Sequence, residues 1–165
     1  MRRIAIIGCA GAGKSTLARD LGKRLDLPVT HLDRLFWQPG WQPTERTRWQ
    51  EIQRELVAGE QWVVDGNYDG TLEIRVAAAD TVIFLDFPRW LCLSRVIRRT
   101  IASRGRDTQA PGCPDKVDRE FLAWIWNYRR DARPRTLAVL AEHGKDVERH
   151  FLTSPREVRQ FLAGL

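Results

Sequence analysis

Cysteine is scarce in this chain, with 3 in 165 residues. Cys9, Cys92 and Cys113 are odd in number and widely spaced, which sets out neither a disulfide framework nor a zinc site. His31, His143 and His150 are scattered and form no ligand motif. Long hydrophobic runs are missing too. No apolar stretch reaches the roughly 18 residues needed to cross a bilayer. Arg2 and Arg3 lead into a short apolar run, but it meets Gly8 too soon to be a signal peptide. We therefore expect a cytoplasmic protein with no membrane partner. Low-complexity segments and internal repeats are absent as well.

What is present fits one globular domain over residues 1–165. A hydrophobic share of 43% and this length allow a real core. The formal net charge is +6, and nearly all of the positive charge is arginine. Such a surface suits nucleic acid. It equally suits small phosphorylated ligands, because a planar guanidinium grips phosphate in bidentate fashion. Coding bias that swaps lysine for arginine on a solvated surface is a third reading. The arginines form no long basic run, so a nucleic-acid partner is not favoured.

Apolar runs at residues 3–7, 28–32, 61–65, 81–86 and 147–152 read as strands. Helical spacing covers 14–25, 45–58, 88–103 and 116–131. Pro134 should break or restart the last of these, and Gly144 should end it. Ser154-Pro155-Arg156-Glu157 is a capping box that opens a final helix. Strands alternating with helices imply an α/β fold with a parallel sheet between two helical layers. A Trp- and Pro-rich flap spans about 34–60. A helical lid spans about 99–133.

The densest signal is Gly8-Cys9-Ala10-Gly11-Ala12-Gly13-Lys14-Ser15, a full match to G-x-x-x-x-G-K-[ST] between a strand and a helix. Backbone N–H groups can wrap a triphosphate only where side chains are absent or small. Gly8, Ala10, Gly11, Ala12 and Gly13 meet that need. Lys14 adds charge at the β- and γ-phosphates, Ser15 offers a hydroxyl to Mg²⁺, and Thr16 follows in the first helical turn. A Gly-rich turn without a ligand is the alternative, and the strand–loop–helix setting argues against it. An N-K-x-D base-reading motif and an L-S-G-G-Q signature are both missing, which excludes the common GTPases and transporter ATPases. ATP with Mg²⁺ is the expected pair.

Further segments carry a family likeness: His31 to Trp37, Val64-Asp65-Gly66-Asn67-Tyr68, Phe84 to Trp90, and Ala110-Pro111-Gly112-Cys113-Pro114. With the phosphate loop, they resemble the adenylate-kinase-like P-loop kinases, and within them the small proteins labelled topology modulation proteins. The resemblance spans most of the chain. It implies a P-loop NTPase fold with a five-stranded parallel sheet in the order 2-3-1-4-5, and transfer of phosphate from ATP to a small acceptor. It matches Arg95 and Arg99, four apart after Asp86-Phe87-Pro88, to lid-side arginines that hold the base and phosphates of ATP. It departs at Asp65-Gly66-Asn67-Tyr68-Asp69, where adenylate kinases have D-G-F-P-R. The arginine for AMP phosphate is missing, which argues against AMP as acceptor.

The remaining candidates follow from position. Asp65 and Asp86 both end apolar strands. The implied strand order puts Asp65 beside the phosphate loop, so Asp65 is preferred for the metal's outer shell. Asp33 follows the second strand, where the resemblance to shikimate- and gluconate-type kinases implies an aspartate that contacts the acceptor hydroxyl and would orient it or take its proton; a helix cap explains it equally well. Arg34, Trp37 and Asn67 are candidate acceptor contacts, with Trp41 and Trp49 nearby as aromatic walls or ordinary packing. Trp90, Leu93, Ile97 and Ile101 form one apolar stripe, which would leave Arg95 and Arg99 on the opposite face. Arg104, Arg106, Arg130 and Arg133 flank the lid, and Arg130 with Arg99, Lys14 and Asp33 completes the expected catalytic set. A small-molecule kinase leads. A regulatory ATP-binding protein that contacts nucleic acid or a protein partner is the alternative.

Overall fold

The computed structural model describes residues 1–103, 106–107, 109–114 and 118–165. Strand β1, Arg3–Gly8, lies at the centre of the sheet. Ile4, Ala5, Ile6 and Ile7 are all 0% exposed, the pattern of a parallel strand covered on both faces. Strand β2 is Val29–His31. Two short strands follow, β3 at Trp37–Gln38 and β4 at Gln42–Pro43, paired as an antiparallel hairpin. The sheet resumes with β5 (Trp62–Asp65), β6 (Thr81–Leu85) and β7 (Glu148–Leu152). Its order is β2-β5-β1-β6-β7, all parallel. With the hairpin set aside, this is the expected 2-3-1-4-5.

Helix α1, Lys14–Leu25, packs on β1, β2 and β5 and buries Leu17, Ala18, Leu21 and Gly22. The turn α2, Asp33–Phe36, leads into the hairpin. Helix α3 is Arg46–Val57, and α4 is Leu72–Ala78, entered through a 3-10 turn at Asp69–Thr71. Helices α5 (Arg89–Ser103), α6 (Arg119–Asp131), α7 (Arg133–His143) and α8 (Pro155–Ala163) complete the chain. Pro134 restarts rather than ends a helix, since it sits in the first turn of α7 where no intrahelical N–H is needed. At α8, the Ser154 hydroxyl accepts from Glu157 N while Thr153 N donates to the Glu157 carboxylate, so the capping box forms. Among the described residues no helix is long and apolar enough to cross a membrane.

Three elements go beyond the sequence-based expectation. The hairpin arises because Gly40 and Trp41 take positive φ values of 77° and 62° and reverse the chain. The Thr44 hydroxyl then ties its base to the carbonyls of Leu35 and Phe36. The turn α2 precedes it. Helix α4 is short, and it carries Arg75 on the same inward face as Leu72 and Val76, which hides its amphipathic pattern.

Most of the apolar stripe on α5 faces outward: Trp90, Ile97 and Ile101 are 65%, 41% and 60% exposed, while Leu93 packs partly against the core. Cys92, Val96 and Ser103 are buried instead. The inner face must lie close against the phosphate loop, where a Cβ on Gly11 would stand 2.4 Å from the Cys92 carbonyl oxygen. Small residues serve that contact and large ones cannot.

Candidate functional site

The loop from Gly8 to Lys14 curls over the C-terminal edge of the sheet. Gly8 and Gly11 have φ values of 140° and 78°. A Cβ at Gly8 would come within 2.5 Å of the Leu85 carbonyl oxygen, so both conformation and space demand glycine there. Helix α1 starts without a side-chain cap and without an acidic residue in its first turn. Its first N–H groups are thus left for an anion, and the helix presents its positive end to them. The Lys14 ammonium arches back and donates to the carbonyls of Gly8 and Cys9, each at 3.0 Å. Buried Cys9 is hydrogen-bonded with Cys92, and that bond together with burial pushes its thiol well above the ordinary range.

Below the loop, the Ser15 hydroxyl donates to Asp65 Oδ2 at 2.7 Å. Asp65 is 4% exposed and lies opposite Ile6 in the β1–β5 register. His31 Nδ1 contacts its other oxygen, Oδ1. Asp86 differs: Arg133 of α7 holds it through Nε at 2.9 Å and Nη2 at 2.8 Å, with Arg129 at 3.6 Å. All of these arginine contacts fall on Asp86 Oδ2, and its buried Oδ1 has no hydrogen-bond partner among the described residues, whereas Asp65 is set apart by its direct bond to the phosphate-loop serine. Among the described residues no three His, Cys, Asp or Glu side chains group as a metal cage. A Mg²⁺ ion held through one hydroxyl, a carboxylate and ligand phosphates needs no such cage. The glycine cradle, the uncapped helix and the Ser15–Asp65 pair fit a magnesium–triphosphate ligand.

Beyond β2 and β5 the site is built from distant pieces. Asp33 Oδ1 accepts the Tyr68 hydroxyl at 2.6 Å. Burial, then the Asp33 charge, pushes the Tyr68 hydroxyl far above its ordinary range, so Tyr68 stays a donor. Asp33 does not cap α2, whose N-cap is Leu32. Asn67 lines the cleft, yet its amide is engaged by protein. Gly8 N and the Tyr128 hydroxyl both donate to its Oδ1 at 3.3 Å, and its Nδ2 donates to Asp69. Asn67 thus lines the cleft and also ties the phosphate loop to α6. Arg75, 1% exposed, donates to the carbonyls of Gly66 and Asn67 and to Gln53 Oε1. Burial lowers its pKa to about 10. Trp49 is 5% exposed and packs on Phe36 and Tyr68, so it belongs to the core rather than to a wall.

These parts line one open cleft of about 1250 Å³. That exceeds the space of about 300–1,000 Å³ typical of a single-ligand site, leaving room for a second molecule. Lys14, Ser15, Thr16, Arg95 and Arg99 line it, as do Asp33, Arg34 and Trp37. Arg95 Nη1 also donates to the Ala12 carbonyl at 3.1 Å. Arg98 joins them, although the sequence reading passed over it. Arg130 is the clearest correction. It does not line the cleft; its side chain is 75% exposed and is paired with Asp131 at 2.7 Å. Arg133 is committed to Asp86, and Arg106 is exposed outside the cleft. Arg104 falls outside the described residues. The segment Ala110–Pro114 locks onto the hairpin: Gly40 N donates to Gly112 O, the Cys113 thiol to Gln38 O, and Trp41 Nε1 to Pro114 O.

His31, Tyr68 and Arg75 escaped the sequence reading. The one signal for His31 was its place at the end of a strand, which becomes informative only once β2 pairs with β5 and sets His31 opposite Asp65. Arg75 in a short apolar helix gave no signal of its own.

No protein-family model matches the chain. A curated relative, the uncharacterized protein YqaC of Bacillus subtilis (strain 168), is 29% identical over 146 residues, covering 86% of this chain and 81% of that protein. Among solved structures, shikimate kinase from Acinetobacter baumannii in complex with shikimate superposes with a TM-score of 0.63. It is 18% identical and covers 99% of this chain and 90% of its own. A gluconokinase from Sinorhizobium meliloti 1021 gives 0.56 at 18% identity, with coverage of 99% and 90%. Deoxyadenosine kinase from M. mycoides with bound dCTP gives 0.51 at 14% identity, with coverage of 98% and 96%. The shared feature is the fold of P-loop small-molecule kinases.

Proposed function

We propose that the protein is an ATP-dependent phosphotransferase that moves the γ-phosphoryl group onto a hydroxyl of a small acceptor. One observation carries this reading: the phosphate cradle with its Ser15–Asp65 pair opens into the same cleft as Asp33. A protein that only bound or hydrolysed nucleotide would have no need for a carboxylate held by a buried tyrosine on the far side.

Residues Gly8 to Gly13 wrap the β- and γ-phosphates with backbone N–H groups, and Thr16 extends the contact at the helix start. Lys14 exchanges its loop carbonyls for phosphate oxygens. Ser15 and Asp65 hold Mg²⁺, which neutralises charge on the phosphates when bound. Arg95 and Arg99 reach the nucleotide from α5, with Arg98 beside them, and offset the charge that spreads over the transferring group. Tyr68 fixes the Asp33 carboxylate. The acceptor oxygen forms its bond to the γ-phosphorus as the bond to the bridging oxygen breaks. The bridging oxygen keeps the electron pair and leaves on ADP, and Asp33 takes the hydroxyl proton. The hairpin covers the acceptor and keeps water out.

The test is transfer of label from γ-labelled ATP to a panel of nucleosides, nucleoside monophosphates, sugars and small acids. A labelled acceptor is expected. Intact ATP binding with no labelled product from any acceptor class would sink the proposal.

A further inference from the structure

The two sides of the cleft differ in chemistry, and the difference bears on what accepts the phosphate. The sheet order divides them. Helices α5 and α8 follow β6 and β7 on one side of β1, while Asp33, the hairpin and the Asn67–Asp69 loop follow β2 and β5 on the other. Lys14, Arg19, Arg95, Arg98 and Arg99 gather on α1 and α5. Among the described residues, the cleft is lined on the β2–β5 side by one arginine, Arg34.

Other cations near that side are engaged. Arg75 is buried beneath the β5 loop and spent on carbonyls and Gln53. Arg135 pairs with Asp69 at 3.5 Å, and Arg133 pairs with Asp86. Acidic groups stand by contrast on this side, Asp33 and Asp69, with Asp118 and Glu120 at the start of α6 also lining the cleft. A carboxylated polyol or a nucleoside monophosphate needs guanidinium groups to offset its charge. Among the described residues this side offers it only Arg34.

Aromatic rings supply what the charges do not. Trp37 and Trp41 of the hairpin stand edge to face, with centroids 5.4 Å apart. Phe121 and Trp124 of α6 lie parallel, 7° between planes and 6.2 Å apart. Both pairs line the cleft. Trp124 is 40% exposed, a large apolar surface left beside a polar rim. Tyr128 binds α6 to Asn67, which holds this second pair over the β5 loop.

We infer that the acceptor is a non-anionic alcohol carrying a flat ring, of nucleoside type, with its ring against these tryptophans and its hydroxyl at Asp33. The inference rests on the phosphotransferase reading and narrows it. Rings recruit such a ligand through stacking and apolar contact without needing a counter-charge. The acceptor hydroxyl is then phosphorylated as described above, its proton passing to Asp33 and ADP leaving.

Two measurements on the full chain, run together, separate this claim from the one beneath it. The first is quenching of tryptophan fluorescence by adenosine, guanosine, cytidine, thymidine and their deoxy forms, beside shikimate, gluconate and AMP. The second is label transfer from ATP to the same compounds. Saturable quenching and phosphorylation by at least one nucleoside, with none by the anionic compounds, is expected. Phosphorylation of an anionic compound while nucleosides stay inert overturns the inference and leaves the kinase reading intact. Nucleoside binding with no transfer to anything overturns the kinase reading instead. Neither binding nor transfer overturns both. Trp37→Leu and Trp124→Leu should each raise the nucleoside KM roughly tenfold through lost stacking, with ATP affinity unchanged. An unchanged KM in both variants, or an equal loss of ATP affinity, refutes the placement of the ring.

Discussion

The donor and acceptor halves of the cleft are built in opposite ways. The donor half is centred on a run of neighbours, the phosphate loop, to which Asp65 and Arg95 are added from afar. Residues 8–15 close on themselves, with Lys14 Nζ bonded only five and six residues back. The acceptor half is a convergence. Asp33 meets Tyr68 across 35 positions, Asn67 meets Tyr128 across 61, and Arg75 meets Gln53 across 22. A local device can be read from a string of letters, because its geometry is set by residue type and spacing. A convergent device exists only after the sheet has paired its strands. The donor half should therefore fail through single residues in the loop, and the acceptor half through the supports behind it.

The largest effect tests the first part of that contrast. Lys14→Ala removes the charge placed on the β- and γ-phosphates. ATP turnover should fall by about 10²-fold or more, the order seen when one aimed donor is deleted from a charged transition state. Thermal stability should barely change, because the Lys14 bonds to Gly8 and Cys9 are part-buried and local. Single-turnover kinetics and a melting curve check the two halves of the claim. A large drop in melting temperature would show that the loop is a structural support rather than a binding device.

Arg75→Met tests the second part. The substitution keeps apolar bulk but strands the Gly66 and Asn67 carbonyls and Gln53 Oε1 in a buried setting. Each orphaned group costs about 1–3 kcal/mol. We expect a net loss of about 2–4 kcal/mol in urea unfolding. In the protein that remains folded, acceptor KM should rise while ATP affinity holds. Equal damage to both substrates would erase the distinction between the halves.

The same contrast explains what could be read in advance. The α/β class and the span of α1 follow from apolar runs and from one loop pattern, all of them local, whereas the order of the sheet came through the family resemblance. The hairpin was hidden because Trp41 reverses the chain at a φ of 62°, a conformation no side-chain preference announces. The inner face of α5 was hidden for a similar reason. Helical spacing found the stripe at Trp90, Leu93, Ile97 and Ile101, but periodicity does not say which stripe turns inward. Close approach of the phosphate loop decided it in favour of Cys92 and Val96. Asp33 and Trp37 were legible as positions after a strand. Their partner Tyr68 was not, since its role depends on where β5 ends beside β2.

Tyr68→Phe should have a smaller effect. It deletes one hydroxyl and leaves the ring against Phe36 and Trp49. Stability should fall by about 1 kcal/mol, the usual worth of one hydrogen bond. Asp33 would lose its fixed orientation, so kcat should fall roughly tenfold, toward the low end of general-base effects, with ATP KM unchanged. The kcat–KM split separates a positioning role from a packing one. A rise in acceptor KM alone would assign Tyr68 to binding.

The smallest effect is expected where charge and sequence position alone would have placed a catalytic group. Arg130 follows Arg129 in the last turn of α6, a basic pair at the end of a presumed lid. Its neighbour reaches inward to Asp86, while Arg130 projects outward and pairs with Asp131 in solvent. An exposed pair of adjacent residues is screened by water and salt and adds little. Arg130→Ala should thus change kcat and both KM values by less than about twofold, with an unaltered melting temperature. Arg99→Ala, on the cleft-facing side of α5, should instead lower turnover through the nucleotide. If Arg130→Ala proved the more damaging of the two, the end of α6 would have to lie nearer the phosphates than it does in this structure. The donor half would then depend further on convergence.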